Sequence, residues 1–314
     1  MNFASYTSSE YFPIFLTFYD SIKKNKNLNL YVLCLDDGVK SLIKKNNIEC
    51  KTITIEDIEL FTKSLLKKRY SKIAEKIGVY RLAYANYLLK KMDIEDIHLI
   101  DSDTYFFSKT SNLEKVVNDL DASVCFCKHN YFYNRDLMND LYGIYNAGYI
   151  YFKNDKQSFK FLVKYRKLCQ NYISWTVKKN IKNLFADQTY LEELIKDFRF
   201  IKIINNKGVN CAPWNIGNYQ ISEKEGQFYV DNVNIIFFHF SGVRALFNKI
   251  FFYNLYYYNR VNLEQVKKTI YKNYLTKLKE NLIKIPTKKD TKTISLKKII
   301  AVFFKLLRKD FSII

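Results

Sequence analysis

Short apolar runs alternate with amphipathic stretches along the first two-thirds of the chain. A brief strand in the first residues leads to the polar, aromatic segment Ser5–Tyr11. Pro13 then opens a helix whose apolar positions Ile14, Phe15, Phe18 and Ile22 recur at helical spacing. Leu28 to Leu35 reads as a strand that ends in the turn Asp36-Asp37-Gly38, and a helix over about 39–46 and a strand over Cys50–Ile55 follow. Such alternation predicts a mostly parallel sheet with helices on both faces.

The pattern continues with a helix over Ser71–Met92, its face carrying Ile73, Ile77, Tyr84 and Leu88, with Arg81 on the same stripe. A guanidinium on an apolar stripe requires an anionic partner, either a structural carboxylate or a ligand. The next apolar run, Ile97–Ile100, ends in Asp101-Ser102-Asp103. Extended backbone would put the two carboxylates on one side, where they repel unless a cation or proton lies between them. A solvated Asp-Ser-Asp turn is the alternative.

Further on, a helix over about 112–119, a strand at Ala122–Cys127, a strand opened by Tyr145-Asn146-Ala147-Gly148, and a basic helix over about 156–172 are predicted. Gly148 allows close backbone approach, and Asn146 can both donate and accept hydrogen bonds. Asp187 and Gln188 open another helix with Leu191, Leu194 and Ile195 inward. Asp187 reads either as its N-cap or, with Gln188, as a group at the mouth of a cleft. A strand at Phe200–Ile204 and a β-prone run Val233–Phe240 follow. His239 near the end of that run, just before Gly242 and Arg244, is either a satisfied core histidine or a metal ligand beside a phosphate-binding loop.

The 314 residues can bury a sizeable core, with 48% hydrophobic and 17% aromatic residues, and only eight Gly and three Pro leave no obvious flexible linker. A net charge of +20 points to anionic partners, although Lys is spread over the whole chain. The six cysteines show no zinc-finger spacing, and no apolar run reaches the length of a membrane span. A reduced, cytosolic setting is the expectation. After Leu246 the sequence becomes aromatic, then Lys-rich. Over Ser295–Lys309 it sets Leu296, Ile299, Ile300, Phe303, Phe304 and Leu307 against Lys297, Lys298, Lys305 and Arg308, the pattern of a helix lying on an anionic bilayer or, alternatively, of one packed on the domain with a solvated basic face.

In order, Arg81, Asp101-x-Asp103, Asn146-Ala147-Gly148, Asp187-Gln188 and His239-x-x-Gly242 resemble the motifs of GT-A glycosyltransferases, specifically those similar to family 8 retaining enzymes of bacterial surface-polysaccharide assembly. The resemblance covers about residues 1–245. It implies an α/β fold of GT-A type (a Rossmann-like, mixed, mostly parallel sheet with helices on both faces) in a catalytic domain 1–245, with a basic helical extension 246–314. It further implies Asp101, Asp103 and His239 as metal ligands, for Mn²⁺ rather than Mg²⁺ given the imidazole. Asn146, Asp187 and Gln188 are similar to the residues around the reacting sugar. Ala4, Ser5, Tyr6, Asp36, Arg81, Ser102, Gly148, Gly242 and Arg244 are similar to those that bind the donor. Read from the residues alone, Tyr6 and Tyr11 in the loop after the first strand are either placed to stack a base or ordinary loop aromatics. After His239 the family's His-x-x-Gly-x-x-Lys-Pro pattern is broken, since Arg244 stands one position early and no Pro follows.

The activity so implied is transfer of a sugar, with retention, from a nucleotide-diphosphate sugar, expected to be a UDP-sugar, to a glycan or lipid-linked acceptor of lipopolysaccharide or capsule type. The enzyme would sit on the inner face of the cell membrane. A basic nucleic-acid-binding protein and a non-catalytic sugar-binding relative are the competing readings. No recognisable nucleic-acid-binding motif supports the first, and the intact acidic pair and His239 argue against the second.

Overall fold

The computed structural model describes residues 1–62, 73–171, 186–246, 250–259, 263–285 and 311–313. The chain opens with β1 (Asn2–Thr7), α1 (Phe12–Ile22), β2 (Asn29–Cys34), α2 (Gly38–Lys45), β3 (Lys51–Thr54) and α3 (Ile55–Thr62). It continues through α4 (Ile73–Lys90), β4 (Asp96–Ile100), β5 (Thr104–Phe106), α5 (Thr110–Asn118), β6 (Val124–Lys128), α6 (Arg135–Tyr142), β7 (Tyr145–Lys153), α7 (Lys156–Asn171), α8 (Leu191–Asp197) and β8 (Ile201–Ile204).

Seven of these strands form one sheet in the order β3-β2-β1-β4-β7-β6-β8. All its pairings are parallel except those of β7, which runs antiparallel to both β4 and β6. Alternate residues of each strand enter opposite layers. Ala4, Tyr31, Leu33, Leu99, Phe126 and Ile150 pack with α4 and α7 on one face. On the other, Phe3, Val32, Ile100, Cys125 and Tyr149 pack with α1 and α5. Burial on both faces explains why these strands read as continuous apolar runs. α4 is buried nearly all round, through Val79, Leu82, Ala83, Tyr84, Ala85, Leu88 and Leu89, so its apolar character extends well beyond the single predicted stripe.

The rest comprises β9 (Ile221–Lys224), β10 (Gln227–Val230), β11 (Val233–Asn234), β12 (Phe237–His239), β13 (Arg244–Leu246), β14 (Ile250–Phe252), α9 (Leu255–Asn259), α10 (Glu264–Val266), α11 (Lys272–Lys284) and β15 (Phe311–Ile313). The β-prone run 233–240 is therefore two strands. β11 closes a small meander with β10 and β9, whereas β12 leaves it to pair antiparallel with β5. α10 continues through a π-helical turn, Lys267–Tyr271, into α11. Tyr271, Tyr274, Leu275 and Leu278 there pack on Phe238 and Phe240, and Asn281 Nδ2 reaches Thr17 Oγ1 of α1 at 3.1 Å. Among the described residues no helix is long and apolar enough to cross a membrane. The expected amphipathic helix at 295–309 lies outside the described residues.

Candidate functional site

The carboxyl end of β4 carries the acidic pair. Asp101 directly follows β4, its N–H still donating to the Gly148 carbonyl at 2.8 Å, and Asp103 lies in the tight turn that leads to β5, so the two do not share one extended segment. Their convergence comes instead from β12, whose pairing with β5 sets His239 opposite Thr104. His239 Nε2 lies 3.0 Å from Asp103 Oδ1 and 3.8 Å from Asp101 Oδ2. One ligand atom from each of the three residues falls within 4.8 Å of the others. Trp214 meets the imidazole edge-on, with ring centroids 5.2 Å apart.

The electrostatics of the trio are divided. Burial raises the Asp101 pKa above the ordinary carboxylate value against the pull of Arg81 and His239. For Asp103 burial also acts upward, but His239 outweighs it and holds the carboxyl below that value. Burial alone would lower the His239 pKa, yet Asp103 and Asp101 keep it raised. Two carboxylates and one imidazole converging in this way fit a divalent ion, whose charge would take over what the imidazolium proton supplies.

Arg81 reaches this group from α4. Its Nε lies 2.7 Å from Asp187 Oδ2, its Nη1 lies 3.4 Å from Asp101 Oδ1, and its Nη2 donates to the Ala147 carbonyl at 2.8 Å. Both Arg81 and Asp187 are buried. The Asp187 side chain therefore pairs with Arg81 and makes no N-cap hydrogen bond, correcting the capping reading. Gln188 Nε2 donates to the Tyr142 carbonyl at 2.7 Å. Asn146 is held on both ends of its amide. Its Nδ2 meets His129 Nε2 at 3.1 Å, and its Oδ1 accepts from Gly148 N and Asn210 Nδ2. His129, with Nδ1 on the Gly143 carbonyl at 2.9 Å, is neutral, because burial pushes its pKa down to about 3.

These groups line a cavity of about 530 Å³ that includes Tyr6, Tyr11, Arg81, Asp101, Ser102, Asp103, Asn146, Gly148, Asp187, Gln188 and His239. Gly148 has no room for a side chain, since a Cβ there would stand 2.4 Å from His239 Cε1 and 2.7 Å from its Nδ1. Gly148→Ala is accordingly expected to displace the imidazole and to lower the unfolding free energy by about 1–3 kcal/mol. A urea titration of the variant checks this, with an unchanged midpoint as the contrary result.

Other expected positions lie elsewhere. Ala4 and Ser5 are interior to β1, where Ala4 packs in the core and Ser5 Oγ donates to the Ile100 carbonyl at 2.9 Å. Asp36 accepts from Ser9 N at 2.8 Å and from Gly38 N at 3.1 Å, and so ties the loop after β2 to the loop after β1. Gly242, at φ +79°, makes the turn after β12 and lies against Asn254; Arg244 is exposed on β13. None of these five residues lines the cavity, whereas the neighbouring Ser241 does. Tyr6, one of the two tyrosines read as able to stack a base, directs its hydroxyl to Asp101.

Sequence reasoning missed an aromatic wall. His129, Tyr131, Tyr142, Trp214 and Tyr258 line the same cavity. His129 stacks on Tyr131 at 4.8 Å, and Trp214 meets His129 and Tyr258 edge-on at 5.3 and 5.9 Å. Two of these had a readable signal: His129 follows the end of β6, and Trp214 sits in a turn-rich loop, both places where ligands gather.

A seven-strand sheet with β7 reversed, helices on both faces and an acidic turn at the end of β4 is the GT-A fold. In agreement, the chain superposes on the galactosyltransferase LgtC, solved with donor and acceptor sugar analogues, with a TM-score of 0.50 at 15% identity, over 77% of this chain and 87% of that one. By sequence it is similar to two proteins of Bacillus subtilis strain 168 described as uncharacterised. It is 27% identical to YfnD over 256 residues, which is 81% of this chain and 80% of that protein. It is 26% identical to YfnF over 234 residues, which is 69% of this chain and 73% of that protein. No family model matches the chain.

Proposed function

We propose that the protein is a retaining, metal-dependent glycosyltransferase that moves a sugar from a nucleoside-diphosphate sugar, a UDP-sugar first, to a glycan or lipid-linked glycan. The observation that carries this reading is the convergence of Asp101, Asp103 and His239 within 4.8 Å, beside the buried guanidinium of Arg81, on a cavity large enough for a donor. Asp101, Asp103 and His239 would hold the ion, and the imidazole favours Mn²⁺ over Mg²⁺. That ion, when bound, would stabilise the negative charge that grows on the diphosphate as the glycosidic bond breaks.

The chain's own groups supply the rest. Arg81 adds a fixed positive charge at the same place and orients Asp187. No side chain has to protonate the leaving group, because a nucleoside diphosphate departs as a stable anion. Asn146, with its amide pinned at His129 and Gly148, and the pair Asp187 and Gln188 are suited to hold sugar hydroxyls in fixed orientation. The wall of Tyr131, Trp214 and Tyr258 offers aromatic faces to the apolar face of an acceptor sugar. Residues 1–245 would carry the chemistry, and the basic segment 246–314 would hold the protein at an anionic membrane surface.

Incubation with UDP-sugars and Mn²⁺, with release of UDP measured, tests the proposal. Turnover is expected in the native chain, with a fall of about a hundred- to a thousandfold in Asp103→Ala, in line with removal of one essential electrostatic group. Absence of both hydrolysis and transfer, or full activity in Asp103→Ala, would contradict it.

A further inference from the structure

Each carboxylate of the acidic pair divides its oxygens between two tasks. Asp101 turns Oδ2 toward His239 Nε2, 3.8 Å away, while its Oδ1 accepts from the Tyr6 hydroxyl and faces Arg81 Nη1 at 3.4 Å. Asp103 repeats the arrangement, with Oδ1 3.0 Å from His239 Nε2 and Oδ2 accepting from the Tyr11 hydroxyl at 3.4 Å. Tyr6 comes from β1 and Tyr11 from the loop that follows it, so one short segment supplies both phenols. The Tyr6 hydroxyl also accepts from Arg81 Nη1 at 3.3 Å, which joins the guanidinium to the acid.

We infer that Tyr6 and Tyr11 are positioning residues of the ion site, phenols that fix one oxygen of each carboxylate so that the other faces the ion. The inference rests on the reading of Asp101, Asp103 and His239 as that site. It gives the first segment of the chain a task other than stacking on a nucleobase. A free carboxylate rotates about its Cβ–Cγ bond, and hydrogen bonds to the outer oxygen hold a ligand in its binding orientation. Loss of such a partner typically weakens metal binding by about 10- to 100-fold. Tyr6 is the stronger brace, because it is 8% exposed and holds Asp101 together with Arg81, whereas Tyr11 is 40% exposed.

The test is a Mn²⁺ titration of the full chain, with free Mn²⁺ read by electron paramagnetic resonance. It compares the native protein with Tyr6→Phe, Tyr11→Phe and Asp103→Ala, each checked for native circular dichroism, with UDP affinity measured alongside. Phenylalanine keeps both rings and removes only the hydroxyls, so a stacking role would leave every reading unchanged. The expected result is Mn²⁺ binding by the native chain, none by Asp103→Ala, a loss of about 10- to 100-fold in Tyr6→Phe and a smaller loss in Tyr11→Phe. Native Mn²⁺ affinity in both phenylalanine variants would overturn the inference while leaving the ion site standing. A native chain that binds no Mn²⁺ would overturn the ion site itself, and the inference with it. If Tyr6→Phe proves unfolded, Tyr11→Phe alone decides, since its ring lies at the rim.

Discussion

Arg81→Met should be the most damaging single change in the cavity, lowering the unfolding free energy by about 3–5 kcal/mol, because it strands Asp187 as an uncompensated buried charge. Catalysis should fall with it, since the same guanidinium faces Asp101 and bonds to the Ala147 carbonyl. The paired variant Arg81→Met with Asp187→Asn separates the two effects. Removing both charges should return most of the lost stability, because the pair's mutual attraction goes together with its desolvation cost. Turnover should stay abolished. Chemical denaturation and UDP release measured on the three variants check this. Equal stability of single and double variants would show that the unpaired Asp187 is not the source of the loss.

The second large effect concerns acid. His98 and His129 are fully buried, and burial pushes the pKa of each down to about 3. A depressed histidine pKa means that the unfolded chain, with an ordinary value near 6.5, binds the proton first as the pH drops. Stability is therefore complete above about pH 6.5 and is lost as the pH falls toward about 3, at up to about 1.4 kcal/mol per pH unit for each ring. Between pH 6.5 and 5 ordinary carboxylates remain ionised, so the slope there belongs mainly to histidine. His239 acts in the opposite sense: its raised pKa gives stability that is present below the ordinary value and lost as the pH rises. Urea unfolding at half-unit pH steps measures the slope. His98→Gln, which removes the ring that meets the Tyr149 hydroxyl at 2.8 Å, should lower that slope by about one proton. An unchanged slope would show that His98 is not neutral in the native state.

Much of the fold could be read from the sequence because a doubly covered sheet needs strands that are apolar on both faces. Runs such as Leu30–Leu33 and Tyr149–Phe152 supply them. The reversed direction of β7 could not be read, because strand direction leaves no mark on a run buried on both sides. The division of 233–240 was hidden for a related reason, as Ile235 and Ile236 bridge two sheets without a break in apolar character. In the site, Asp101, Asp103, Arg81 and Gly148 announced themselves by residue type: charges or a glycine where an apolar pattern has no use for them. Tyr6 was ambiguous, since a tyrosine at a strand end has the same appearance whether its ring or its hydroxyl is used. His129 and Trp214 carried a local signal, a strand end and a turn-rich loop, but their meeting with Tyr131 and Tyr258 stayed hidden because the wall is assembled from three separate segments.

The most direct measurement is a crystal structure of the full chain soaked with Mn²⁺ and UDP, with the ion located by its anomalous scattering. The expected result is one peak bounded by Asp101, Asp103 and His239, with diphosphate oxygens on its open side. A peak elsewhere, or a map in which UDP lies in the cavity with no ion among those three side chains, would contradict the central claim.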